Sequence, residues 1–206
     1  MLNITTTFLY AENKYNIRMV LSQEDKELLI ELAKETINSE INNISIKKEL
    51  LQQVQKFDIK QGVFVTITKD GELRGCIGHV LAIEPLWQAI IDCARSAAFN
   101  DPRFPLLKRE EFPFIKIEIS VLSPLDRLKV EKPEEYLNKI EIGKHGLFIE
   151  GKSNSGLLLP QVFTEWKADA LKALQMTCQK AGLPVNAWKD FINRIYVFSA
   201  EIFSEK

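Results

Sequence analysis

From Ser22 onward, Leu28, Leu29, Leu32, Ala33, Ile37 and Ile41 recur at helical spacing, the pattern of a helix that buries one stripe. Ser22 and Asp25 stand three apart at its start, with Glu24 and Glu27 in the same turn, which is an N-terminal capping signal. A helix is therefore predicted over about 22–40, and a weaker one over 46–56. Residues 1–20 show no clear period and are expected to form a loosely packed arm. Val63-Phe64-Val65-Thr66-Ile67-Thr68 is β-branched and aromatic, as strands are. Asp70-Gly71 then supplies a hairpin turn. Counting back from a two-residue turn, Lys69 faces Glu72, Ile67 faces Arg74 and Val65 faces Cys76. Alternation then predicts Val63, Val65, Ile67, Arg74 and Cys76 on one face of the hairpin.

Pro85 opens a second helical pattern, Leu86, Trp87, Ile90, Ile91, Ala94, Ala97 and Ala98, and Asn100-Asp101-Pro102 stops it. Ile115, Ile117, Ile119 and Val121 alternate with Lys116, Glu118 and Ser120, the signature of a half-buried strand. A polar connection runs from Pro124 to Lys132. Leu147–Glu150 and Gly156–Leu159 flank a Gly/Ser/Asn turn and read as a second hairpin, with Pro160 opening a first helical turn. Ala170, Leu171, Leu174, Cys178 and Ala181 mark a helix closed by Gly182 and Pro184, and Ile195–Phe203 reads as a terminal strand. Two hairpins, each followed by a helix, predict an α+β fold with two antiparallel sheets carrying helices, and 206 residues suit one large domain or two small lobes. The larger lobe is expected at about 1–124 plus 190–206, and the smaller at about 125–189.

Charge narrows the function classes. With 27 Lys and Arg against 28 Asp and Glu, the chain lacks the basic balance of a nucleic-acid binder, and a nucleic-acid partner is not expected. Its apolar runs are shorter than the roughly 20 residues a membrane span needs. The segment from Met1 to Tyr10 has neither the basic start nor the small-residue cleavage site of a signal peptide. A cytoplasmic location without membrane partners is the expectation. Cys76, Cys93 and Cys178 are too few and too scattered for a disulfide framework. The C-x-x-H spacing of Cys76 and His79 lacks the second pair that a structural zinc site requires, so no metal is expected. Neither G-x-G-x-x-G nor a P-loop occurs, and no cofactor is predicted.

Arg74-Gly75-Cys76-Ile77-Gly78 is the sharpest chemical candidate. A cation near a thiol favours the thiolate, and Arg74 stands about 6.6 Å along the strand from Cys76. Gly75 and Gly78 remove bulk, so a ligand or another backbone can approach. The alternative is a buried hairpin cysteine with glycines that serve packing. His145, between glycines in a predicted loop, is a candidate base, whereas His79 reads as a surface or capping residue. Asp101 and Arg103 are spaced for a local ion pair that fixes the loop after a helix. Glu118 and Ser120 share a strand face, and Gln161 at the hairpin-to-helix junction is either a ligand donor or a cap.

Several strings together carry a family resemblance: Gly62–Thr66, Leu73-Arg74-Gly75-Cys76-Ile77-Gly78, Ala97–Pro105, Glu118–Pro124, Gly143–Leu147, Gly156–Val162 and Lys180–Pro184. In this order they resemble the AMMECR-one domain family over roughly residues 20–205. The resemblance implies two α+β lobes joined by two connections, with both termini in the larger lobe and Leu73–Gly78 facing a cleft between them. Such a cleft is wide enough for a large substrate or partner and is not notably basic. The resemblance also implies a Memo-like protein and a radical-SAM protein as partners, and it brings no reaction, because the family's activity is not established. His145 matches the family's loop, whereas His79 stands where a small polar residue is common. Two readings follow. In one, the chain is a binding module for a protein, peptide or other large ligand, with Gly75, Ile77, Gly78, Asp101, Arg103, Ser120 and Gln161 shaping the site. In the other it is an enzyme with Cys76 as nucleophile or redox thiol, supported by Arg74 and His145. The lack of a legible acid–base pair favours the first.

Overall fold

The structure, a computed structural model, describes residues 21–81 and 83–205. The arm expected at residues 1–20 lies outside the described residues. Helix α1 (Gln23–Asn42) begins with the capping box its sequence predicts. The Ser22 hydroxyl accepts the Asp25 N–H at 3.1 Å, and the Asp25 carboxylate accepts the Ser22 N–H at 3.0 Å. Leu29, Leu32, Ala33 and Ile37 form its buried stripe. A short α2 (Lys48–Val54) leads to the hairpin of β1 (Val63–Lys69) and β2 (Glu72–His79). Helix α3 (Leu86–Phe99) follows, packed on β1 and β2, and then β3 (Ile115–Leu122). With β8 (Ala200–Ser204), these strands form an antiparallel sheet in the order β2-β1-β3-β8. The inner face of that sheet and helices α1 and α3 enclose the first apolar core.

The second sheet has the order β4-β7-β5-β6. Its strands are β4 (Asp126–Arg127), β5 (Gly146–Glu150), β6 (Ser155–Leu158) and β7 (Arg194–Phe198). Helices α4 (Tyr136–Lys139), α5 (Pro160–Glu165) and α6 (Ala170–Lys180) accompany it around a separate core centred on Leu147, Phe163, Leu174 and Trp188. The chain passes between the sheets twice, at Ser123 and at Ser199, and these crossings are tied together. The Ser123 N–H donates to the Ser199 carbonyl at 2.8 Å, and the Ser199 N–H to the Ser123 hydroxyl at 2.9 Å. Leu122, Leu159 and Phe198 form a small apolar seam beside them. Among the described residues, no helix is long and apolar enough to cross a membrane.

Two expectations need correction. The terminal stretch from Ile195 is not one strand with the first sheet. It splits at Ser199, and β7 belongs to the second sheet while β8 edges the first, so the smaller unit's expected span of 125–189 omits one of its strands. The hairpin register also slips. Lys69 faces Glu72 and Thr68 faces Leu73, but Ile67 then faces Gly75, so Arg74 is an extra, bulged residue. From Gly75 on, every residue is displaced by one, which turns each side chain to the other face. Cys76 faces Thr66 and shares its outer face, while Val63, Val65 and Ile67 point into the core.

Candidate ligand-binding site

The bulge sends Arg74 and Cys76 to different work. Arg74 is almost fully buried, and its guanidinium grips Glu111 with Nε at 3.1 Å and Nη2 at 3.0 Å. Lys69 Nζ and the Lys108 N–H complete the set of donors to the same carboxylate, at 3.2 and 3.1 Å. Arg74 chiefly, helped by Lys108 and Lys69, brings the Glu111 carboxyl down to about 2 despite its partial burial. Arg74 therefore pins the 100–114 segment to the hairpin. Its guanidinium is thus engaged by Glu111 and not by the thiol, the support its spacing suggested. Its Nη1 is buried without a partner.

Cys76 lies on an edge strand, and its outward backbone groups are closed by side chains. The N–H donates to Asp101 Oδ2 at 2.9 Å, and the carbonyl accepts Arg103 Nη2 at 3.2 Å. Asp101 and Arg103 form the predicted ion pair, with Nη2 to Oδ2 at 2.6 Å and Nε to Oδ1 at 2.9 Å. The pair thus stands in for a neighbouring strand. Arg103's hydrogen bonds hold the buried Asp101 carboxyl well below the usual range, with help from the Cys76 N–H. The half-buried Cys76 thiol accepts the Thr66 hydroxyl at 3.3 Å. Burial chiefly, with the Asp101 charge, pushes its pKa up by more than Thr66, Arg103 and Lys180 pull it down. The resting group at neutral pH is a thiol. Cys93 is fully buried, and burial raises it to about 12.

Two glycines of the motif serve close approach. A Cβ on Gly75 would lie 2.1 Å from the Ala97 carbonyl oxygen of α3, and one on Gly78 would lie 2.2 Å from the Phe64 ring. Ile77 faces Val65 and packs against the first core. His79 faces Val63, on the opposite face from Cys76, because residues three apart on a strand diverge. That geometry removes the C-x-x-H pair as a metal site. Among the described residues, no group of three or more His, Cys, Asp and Glu is placed to hold a metal ion.

The outer face of the first sheet is met by α5. Gln161 Nε2 reaches the fully buried Ser120 hydroxyl at 3.5 Å, and Gln161 Oε1 is buried without a donor. Gln161 also lies close enough to Glu118, two residues along β3 from Ser120, to lower its carboxyl slightly. Burial raises the Glu118 carboxyl, and the charge of Glu165 raises it further. The register places Cys76, Thr66 and Glu118 side by side across β2, β1 and β3. The structure thus brings Cys76, Asp101, Arg103 and Gly78 together, and it brings Ser120 and Gln161 together beside Glu118. It does not bring His145 to the thiol by any contact. His145 Nδ1 accepts the Glu141 N–H at 3.2 Å within its own turn. Sequence reasoning missed Thr66, Glu111, Glu165 and Lys180. The four-residue spacing of Gln161 and Glu165 in a helix was a usable signal, whereas nothing local marks Glu111 or Lys180.

The model of the AMMECR1 family matches residues 30–203. A protein of Methanothermobacter thermautotrophicus is 43% identical over 188 residues, covering 90% of this chain and 96% of that one. A protein of Aquifex aeolicus is 49% identical over 154 residues, covering 74% and 78%. The crystal structure of the uncharacterised protein PH0010 from Pyrococcus horikoshii superposes with a TM-score of 0.83 at 40% identity, covering 90% of this chain and 94% of that one. The chain belongs to the AMMECR1 family.

Proposed function

We propose that this chain is a binding protein, and that a protein, peptide or other large ligand lies on the outer face of the first sheet, in a cleft between the two sheets that includes Cys76 and Gly78. The observation that carries this reading is the state of the thiol. Burial favours the neutral form of Cys76, its sulfur accepts from Thr66, and the cation and base expected to activate it, Arg74 and His145, are engaged elsewhere. A nucleophilic cysteine needs a thiolate or an adjacent base. Around the thiol lie groups suited to recognition: the Thr66 hydroxyl, the Glu118 carboxyl, the Gln161 amide and the half-exposed Arg103 guanidinium. The balanced net charge of −1 supports a protein or peptide over a nucleic acid. The Memo-like and radical-SAM proteins of the family resemblance are candidate partners.

The competing reading, a thiol enzyme, is separated by one titration. Alkylation of Cys76 by iodoacetamide is followed across pH by peptide mass spectrometry on the native protein. The binding reading expects a midpoint above the roughly 8.5 of a free thiol. A midpoint well below it would transfer the case to thiol chemistry.

A further inference from the structure

We propose that the ligand is an extended polypeptide segment bearing an acidic and a basic group two or four residues apart, laid across β2, β1 and β3 with the acid at the Cys76 end and the base at the Glu118 end. The inference rests on the binding reading and names its ligand. Three observations carry it.

Cys76 and Glu118 both pair with Thr66, one from each side, so the three side chains form a row on a single face. Neighbouring strands are about 4.8 Å apart, which makes the row about 10 Å long. Its two ends differ in sign. Arg103, half-exposed, is balanced there by the buried Asp101, so the uncompensated positive charge acting on the thiol is that of Lys180, which is exposed and without an ion pair among the described residues. At the other end Glu118 feels the charge of Glu165, and no cation pairs with either among the described residues. Beside them Gln161 Oε1 is a buried acceptor with no donor. Such an acceptor costs free energy until an N–H reaches it, and an ammonium or guanidinium group supplies one.

A ligand with one charge satisfies one end only. A phosphate backbone meets repulsion at Glu118 and Glu165. An extended chain rises about 3.3 Å per residue and alternates its side chains, so groups two or four residues apart face the same way at about 7 or 13 Å and, with the reach of their side chains, bracket the row.

The test is a random hexapeptide library, displayed on phage and panned on the whole protein at low salt. Glu165→Gln and Lys180→Gln serve as comparison variants, since both positions are exposed, where substitutions usually change stability little. The expected result is enrichment of opposite charges two or four residues apart. Glu165→Gln should weaken the preference for the basic residue, and Lys180→Gln that for the acidic one. Each loss should be about threefold to fivefold, the size of an exposed ion pair, and should fade with added salt. Enriched peptides without such a pair would overturn this inference and leave the binding reading standing. Competition by 6-aminohexanoate as effective as that by the peptides would overturn the polypeptide assignment, since charge spacing alone would then be read. No enrichment over an unrelated protein would overturn both.

Discussion

Glu111→Gln tests whether the bulged arginine is structural. Glu111 takes donors from Arg74, Lys69 and the Lys108 N–H, and its carboxyl sits at about 2 against an ordinary value of 4.5. At about 1.4 kcal/mol per pH unit, that drop is worth about 3.5 kcal/mol. Lys69 is about one-third exposed, and water at the rim screens the set, so about 2 kcal/mol is the expected loss at neutral pH. For a chain of this size the melting temperature should fall by about 4–8 °C. The sign with pH follows from the direction of the shift. A carboxyl depressed in the folded state contributes stability that is fully present above its unfolded value, 4.5, and is lost as pH falls through about 2. The gap between wild type and variant, read from urea unfolding, should therefore narrow from about pH 5 downward. A loss below about 0.5 kcal/mol at neutral pH, within the ordinary scatter of surface changes, would refute the assignment. So would a loss that stays constant with pH.

Three further outcomes are expected. Gly75→Ala should cost about 1–3 kcal/mol or more in urea unfolding, because its Cβ meets the rigid Ala97 backbone at 2.1 Å. Gly71→Asn, in open space at φ +82°, where asparagine is tolerated, should change stability by no more than about 0.5 kcal/mol, and equal losses at the two glycines would contradict the packing argument. Arg103→Gln should move the alkylation midpoint of Cys76 upward and Arg74→Lys should leave it in place, since Arg103 and not Arg74 acts on the thiol. The reverse pattern would restore Arg74 as its electrostatic partner. Glu165→Gln should lower the Glu118 pKa, followed by 13C carboxyl resonances, toward the ordinary glutamate value without reaching it, because burial persists. An unchanged titration would mean the two carboxyls do not sense each other.

The elements were legible where their causes are local. Ser22 and Asp25 announce the start of α1, Asp70-Gly71 the hairpin, and the Ile115–Val121 alternation a half-buried strand, because each signal lies within a few residues of its effect. The Asp101–Arg103 pair was readable for the same reason, being two residues apart. The α+β class follows from the order of such elements. What escaped depends on distant partners. Nothing between Leu73 and Gly75 records an extra residue, since the bulge pairs with Glu111, 37 positions from Arg74, and with the closeness of Ala97 to Gly75. That single inserted residue reverses the face of Cys76, because a strand's side chains alternate with period two. The break at Ser199 rests likewise on its bonds to Ser123, 76 positions away. The sign of the charge at each end of the Cys76–Glu118 row comes from Lys180 and Glu165, which approach it only when the second sheet folds against the first. Local patterning specifies which residues pair along a strand or helix. Which side chains meet across sheets is settled by long-range packing, and a linear pattern does not encode it.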